Sequence, residues 1–157
     1  MMSRFLRWLS QFFPRHRIPR DGKPYNDRYF LAGRDGHNWA WGWLARCPLN
    51  VFLHNFRDSD TADKLHSHPY PWSCSLILSG GYKEERVKEY NGLFGGLETR
   101  ILRAGRINWI GPNDWHRIEL LPGQECWTLF VSWSRNRRLW YFMNRYTLER
   151  ELASGRT

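Results

Sequence analysis

Three of the six histidines stand where they could share one metal ion. His66 and His68 flank a serine in Leu65-His66-Ser67-His68-Pro69. On an extended strand residues i and i+2 project to the same face. The two imidazoles therefore point together and can converge on one ion at about 2.0–2.2 Å. A third histidine, His116, closes the stretch Gly105-Arg106-Ile107-Asn108-Trp109-Ile110-Gly111-Pro112-Asn113-Asp114-Trp115-His116. If the intervening strands fold back inside one barrel, His116 reaches the pair from a neighbouring strand and completes a facial set. Neutral imidazoles suit Fe, Zn, Ni, Cu or Co, and geometry selects among them. Three protein ligands leave coordination positions open, which marks a catalytic and not a closed structural site.

Other groups that could act beside such an ion are fewer. Glu84 and Glu85 follow the Gly80-Gly81 turn, and adjacent strand residues face opposite sides, so at most one of them points inward. Tyr82 shares the parity of Glu84. Glu84, Tyr82 and Arg117 are the candidate catalytic residues. Arg57, Arg86, Arg106 and Arg117 are the arginines able to take a substrate carboxylate or phosphate. Glu119, Asp114 and Asn108 are the candidates to hold the outer ring nitrogens of the histidines. His54 precedes the acidic turn Asp58–Asp60 and reads as a structural histidine at the cavity wall. Asp63 and Asp114 fall in turns, where aspartate commonly caps backbone amides.

Positioning these groups requires closely spaced strands. From Tyr25 onward the chain shows short β-branched or aromatic runs: Arg28–Leu31, Trp39–Leu44, Asn50–Phe56, Ser73–Leu78, Tyr82–Tyr90, Glu98–Leu102, Ile107–Ile110, His116–Leu120 and Glu125–Trp133. Turn signals separate them, among them Arg34-Asp35-Gly36, Gly80-Gly81, Asn91-Gly92 and Pro122-Gly123. Many short strands at this spacing indicate an antiparallel sandwich or barrel, not a βαβ fold. Ahead of them, Ser3–Phe13 places Phe5, Leu6, Leu9, Phe12 and Phe13 at helical spacing up to Pro14, an amphipathic helix. Arg15–Lys23 reads as a polar connector, and Leu139–Ala153 as a helical segment. The organisation expected is residues 1–24 as helix and connector, 25–134 as barrel, and 135–157 as a basic C-terminal segment.

Composition bounds the rest. The chain has 157 residues, 41% of them hydrophobic, enough for one domain with a core. Aromatics reach 17%, with ten Trp, which suits a barrel interior filled by rings. A net charge of +9, from 24 Lys+Arg against 15 Asp+Glu, attracts anions. The cations concentrate in Arg4–Arg20 and Arg135–Arg150. Cys47, Cys74 and Cys126 are odd in number and lack a CxxC, so neither a disulfide framework nor a cysteine zinc site follows. With no apolar run of about 18–20 residues and no convincing export signal, a cytoplasmic protein with reduced thiols is expected.

The order and spacing of these motifs resemble the cupin superfamily. His66, His68 and Gly80 match its first motif; Gly105, Gly111 or Pro112, and His116 match its second. The resemblance implies an all-β, cupin-type double-stranded β-helix (a jelly-roll barrel), here with a short N-terminal amphipathic helix. It departs at the glutamate ligand that cupins often carry, where this chain has Trp72 and Ser73. Two segments, Gly80-Gly81-Tyr82-Lys83-Glu84 and His116-Arg117-Ile118-Glu119, are similar to the thiol dioxygenase branch, which holds iron with three histidines. Where that branch carries a cysteine and a late tyrosine, this chain has Ser73 and Trp133, with Cys74 one position off. A likeness over about Tyr25 to Phe142 is to small bacterial and phage cupins of unassigned function. It rests on Phe52-Leu53-His54, Asp58–Asp63, His66–Trp72, Ser75–Tyr82 and Trp127–Val131.

The expectation is therefore a metal-dependent cupin enzyme, with Fe(II) first and Zn, Ni or Cu as alternatives, acting as a non-haem iron dioxygenase on a small anionic substrate. The other class is a non-catalytic cupin that binds a ligand or partner through its basic flanks. A homodimer and contact of the N-terminal helix with a membrane surface are further expectations. Nucleic acid is not expected, because charge and tryptophan content are its only support.

Overall fold

A computed structural model describes residues 1–20, 22–33, 47–133 and 141–152 of the chain. The expected turn Arg34-Asp35-Gly36 and strand Trp39–Leu44 lie outside the described residues, as does part of the basic segment Arg135–Arg150. In chain order the elements are helix α1 (Met2–Leu9), a 3-10 turn (Ser10–Phe12), and strands β1 (Arg15–Arg20), β2 (Lys23–Ala32), β3 (Leu49–Phe56), β4 (Lys64–His66), β5 (Ser73–Ser79) and β6 (Gly81–Tyr90). Then follow β7 (Leu93–Phe94), β8 (Glu98–Arg103), β9 (Ile107–Ile110), β10 (Asp114–Leu120), β11 (Cys126–Trp133), β12 (Tyr141–Asn144) and β13 (Arg150–Leu152).

Two antiparallel sheets form from them. One runs β1-β2-β3-β11-β5-β9, the other β13-β12-β4-β10-β6-β7, with β8 on β6. Strands adjacent in sequence repeatedly change sheet, as in a double-stranded β-helix, so each sheet interleaves early and late segments. The fold is the expected cupin-type barrel. Its interior rests on period-two alternation: in β5, Ser73, Ser75 and Ile77 are buried while Cys74 and Leu76 are half-exposed. Phe52, Tyr70, Ile110 and Phe130 pack one end, and Ile77, Tyr82, Leu102, Ile118 and Cys126 the other. Each fully buried side chain of this size contributes about 2–3 kcal/mol.

The β5–β6 turn depends on one glycine. Gly80 has φ 76°, and a Cβ there would collide with the Glu125 carbonyl oxygen. Only glycine takes that conformation at so close an approach.

Helix α1 seats Leu6 against Tyr29, Leu53 and Trp127 on the outside of the first sheet. It is shorter than the Ser3–Phe13 spacing suggests, because the chain tightens to 3-10 geometry before Pro14. Two expectations are corrected. Arg15–Lys23 is not a connector: β1 pairs antiparallel with β2 from Arg15↔Tyr29 to Arg20↔Lys23, with a register shift between Ile18 and Pro19. Its alternation was masked by arginines and by Pro19, which an edge strand tolerates because no central ladder needs its amide. Leu139–Ala153 is not helical where described: β12 adds to the open edge of β4 and turns into β13. The turn is held by Asn144 Oδ1, which accepts the Tyr146 and Thr147 amides at 2.9 and 3.1 Å. Burial of Met143 in the Leu65, Val87, Trp115 cluster outweighs helix propensity there.

Among the described residues, no helix is long and apolar enough to cross a membrane. The three cysteines are free thiols.

Candidate metal centre

The second sheet brings the distant histidine to the pair. His66 ends β4 and stands opposite His116 of β10 in register, and Phe142 of β12 stands opposite His66 on its other side. β4 stops at His66, so His68 lies just past the strand; the chain there is tied to β12 by Ser67, whose amide donates to the Tyr141 carbonyl at 3.0 Å. His68 is thereby aimed at the same point. Ring centroids are 5.2 Å apart for His66–His68, 4.6 Å for His66–His116 and 4.9 Å for His68–His116. One nitrogen from each ring lies within 4.8 Å of the other two.

The nitrogen chemistry fits a cation. His116 Nδ1 is 2.6 Å from Glu84 Oε1, which accepts, so Nδ1 carries a proton and Nε2 is the nitrogen left to bind an ion. That Nε2 faces His68 Nε2 at 2.7 Å. Two ligand nitrogens about 2.1 Å from one ion are about 3.0 Å apart at a right angle and about 3.4 Å apart in a tetrahedron. An ion bound here would replace the 2.7 Å contact with one of these wider separations. Burial holds the His66 imidazole down to about 4, against the opposing pull of Asp60, and holds His68 well below its ordinary value. Both rings are neutral near pH 7, the form that donates to a metal.

Two carboxylates back the cluster. Glu84 is fully buried; burial opposes its ionisation, yet His116, Arg86 and Asn108 together hold it far below the usual carboxylate range. Its partners are Arg86 at 2.9 Å, Arg100 at 2.7 Å and Asn108 at 2.7 Å. Asp60 Oδ2 lies 3.7 Å from His66 Nδ1 and accepts the Ile118 amide at 2.6 Å, while Oδ1 accepts Tyr25 at 2.7 Å and Arg20 at 2.8 Å. Burial resists its charge, but His66, Arg20, Ile118 and Tyr25 more than offset that and lower it.

The cluster opens on a cavity of about 400 Å³. Its walls are largely apolar, from Phe56, Tyr70, Ile110, Ile118, Phe130 and Phe142; Arg20, Arg28 and His54 supply polar groups. Arg28 Nε donates to His54 Nε2 at 3.0 Å, and its charge acts on both His54 and His68.

Of the residues singled out in sequence, the structure unites His66, His68, His116, Glu84 and Tyr82. Tyr82 lines the cavity with its hydroxyl near Asn108 Nδ2 at 3.1 Å, and burial followed by the Glu84 charge raises its phenol, so it stays protonated. Arg117 points the other way: it is one residue past His116 on β10, so it leaves by the opposite face and bonds Glu85 at 3.0 Å and the Thr61 carbonyl at 3.2 Å. Of the arginines considered as anion binders, Arg86 is consumed inside the Glu84–Asn108–Asp114 lattice, Arg57 pairs with Asp27, and Arg106 is exposed. The ring-holding groups differ as well. Asn108 and Asp114 brace Glu84 and Arg86 one step back, and Glu119 faces Lys83 on the outside. Asp60, Arg20 and Arg28 were missed. An acid in a turn and arginines in a supposed connector or outer strand carry no local mark of convergence.

Comparison with solved structures shows the fold. The chain is similar to Fe(II)-bound HppE with an alternative substrate, (S)-1-HPP (TM-score 0.54, 12% identity, 79% of this chain and 57% of that chain). It is similar to oxalate oxidase in complex with glycolate (TM-score 0.52, 16% identity, 71% and 52%). It is also similar to oxalate decarboxylase from Bacillus subtilis (TM-score 0.53, 14% identity, 76% and 28%). The chain thus spans little more than half the length of the first two. No protein-family model matches it, and no curated protein matches it in sequence. The likeness to thiol dioxygenases and to small bacterial and phage cupins rests on the local motifs alone.

Proposed function

We propose that this chain is a metal-dependent cupin enzyme that binds one divalent transition metal through His66, His68 and His116 and acts as a non-haem iron oxygenase on a small organic anion. The observation that carries the reading is the meeting of three imidazoles, with Glu84 on the outer nitrogen of His116, at the wall of a largely apolar cavity. Iron held there would supply the one-electron chemistry that lets dioxygen react with a closed-shell substrate. The protein's own groups do the rest. Glu84 keeps the proton on His116 Nδ1, and with Asp60 sets the ring orientations. Phe130, Phe142, Ile110 and Ile118 exclude water from the reacting volume. Arg28, which lines the cavity beside Arg20 and also donates to His54, is a cation placed to take a carboxylate or phosphate, and the protonated Tyr82 hydroxyl is a donor for a substrate oxygen. Support for an anion also comes from the wall itself: Asp60 and Glu84 point away from the cavity into their own donor sets.

Elemental analysis and oxygen-uptake measurements on the purified protein test this together. Near-stoichiometric iron and dioxygen consumption with a small carboxylate or thiol are expected, with both lost in His66→Ala. Zinc, nickel or copper in place of iron would redirect the reaction while keeping the site. Metal-free protein whose His66→Ala variant folds and binds ligands unchanged would make the chain a non-catalytic binding module and end the proposal. Substituting Arg28→Met should raise KM for an anionic substrate about tenfold or more, at the value of a charge-assisted hydrogen bond, with kcat less affected.

A further inference from the structure

The N-terminal helix and the turn after it carry an apolar edge that the barrel does not use. The inner edge of the helix is accounted for: Leu6 is buried, Ser3 Oγ meets Ser79 Oγ at 2.7 Å, and Arg7 reaches Glu125 at 2.6 Å. Those contacts fix the helix's rotation on the first sheet. Turned outward at i, i+3 and i+7 are Phe5, Trp8 and Phe12, exposed by 52%, 54% and 58%, with Met2 beside them at 51%. The three rings touch in sequence, at 6.0 Å for Phe5–Trp8 and 5.1 Å for Trp8–Phe12. The apolar arc of this amphipathic helix is therefore packed along one edge, at Leu6, and bare along the other, and a bare row of three large rings calls for an occupant.

Charge identifies it. Residues 1–20 contain five arginines and no Asp or Glu. Arg4, one turn before Trp8, and Arg15, three residues after Phe12, are exposed, and Arg7 and Arg17 keep about half of their side chains in solvent despite their ion pairs. A second copy docking through the stripe would bring these cations against their own counterparts. A single-stranded nucleic acid takes a basic groove lined with free ring faces, whereas these rings stand on the convex side of a helix and Trp8 and Phe12 pack edge to face at 75°. An anionic lipid surface satisfies both features, since aromatic side chains settle at the headgroup level and arginines pair with lipid phosphate and carboxylate.

We infer that the exposed face of the N-terminal helix seats this protein on an anionic membrane surface, with Phe5, Trp8 and Phe12 entering the interface and Arg4 and Arg15 contacting headgroups. The barrel is held at the surface while the metal cluster stays inside it; the inference is independent of the metal chemistry.

The test is sedimentation of the full chain with vesicles of phosphatidylcholine alone and of phosphatidylcholine with phosphatidylserine, alongside light scattering of the free protein. Wild type should sediment with the anionic vesicles and not with the neutral ones, and salt should weaken it. Arg4→Gln with Arg15→Gln should bind about thirty-fold more weakly at low salt, the worth of two basic residues at the surface. Phe5→Gln with Trp8→Gln and Phe12→Gln should abolish sedimentation while circular dichroism and metal content stay as in wild type, because these side chains are exposed. The inference is overturned if wild type ignores anionic vesicles or the triple variant binds them equally. It is also overturned if light scattering shows a dimer that the triple variant dissolves, or if the stripe proves to bind single-stranded oligonucleotide in preference to lipid.

Discussion

Replacing Glu84 by glutamine separates the two roles that the structure gives this carboxylate. The side chain is fully buried, and its oxygens face only donors: His116 Nδ1 at 2.6 Å, Arg100 at 2.7 Å, Asn108 at 2.7 Å and Arg86 at 2.9 Å. Glutamine keeps the shape, removes the charge and turns an NH₂ group towards one set of those donors. Breaking a buried ion pair from one side costs about 3–5 kcal/mol. Here the low end applies, because Arg86 keeps Asp114 at 2.9 Å and the Asn108 carbonyl oxygen at 2.7 Å. Losing the carboxylate behind a metal-binding histidine costs about 10–100-fold in metal affinity. Urea unfolding of the metal-free protein reads the first quantity, and competition with a chelator of known affinity reads the second. Glu85→Gln is the control. That neighbour faces Arg117 and Arg145 on the outside of the sheet, so it should cost stability and leave metal affinity unchanged. If Glu84→Gln unfolds within about 0.5 kcal/mol of wild type, the usual span for an unimportant site, and holds metal equally, the reasoning about this lattice is wrong.

Further expectations are accessible to the same assays. The metal-free protein should lose stability as pH falls from 6.5 towards about 4, because unfolded His66 takes up a proton near 6.5 and the folded ring only near about 4. The unfolded state binds more protons throughout that window, so the contribution is complete above it and worth about 3 kcal/mol; a flat urea midpoint between those pH values would contradict the burial argument. Gly80→Ala, forced to φ 76° against the Glu125 carbonyl, should destabilise by about 2 kcal/mol or more, measured by thermal unfolding. Arg117→Gln should lower stability through its Glu85 partner yet leave metal content and turnover within about twofold, since a side chain on the far face changes neither site; a large kinetic loss would return Arg117 to the site.

Much of this protein was legible before any coordinates. The β-branched and aromatic runs Ser73–Leu78, Ile107–Ile110 and Glu125–Trp133, each bounded by turn residues, mark strands because strand propensity and turn chemistry are local properties of the chain. The HxH pair shows its convergence because side-chain period is likewise a local property of the backbone, and the spacing to His116 matched a known barrel pattern. Parity was equally local for Glu84 and Tyr82, which had to share a face; the same rule applied to His116 and Arg117, adjacent on one strand, would have removed Arg117 from the candidates.

What only tertiary structure decided was which face is inside and who stands across the gap. Pairing of His116 with His66 and of Ile118 with Glu84 places a carboxylate behind one histidine, and a turn residue, Asp60, arrives behind another. Neither relation has a sequence period, because each is made by strands distant along the chain. The same holds at the sheet edges. Arginine-rich β1 and the short β12 look like linker and helix in isolation, and become strands because an open edge of backbone donors and acceptors must be satisfied by whatever segment can reach it.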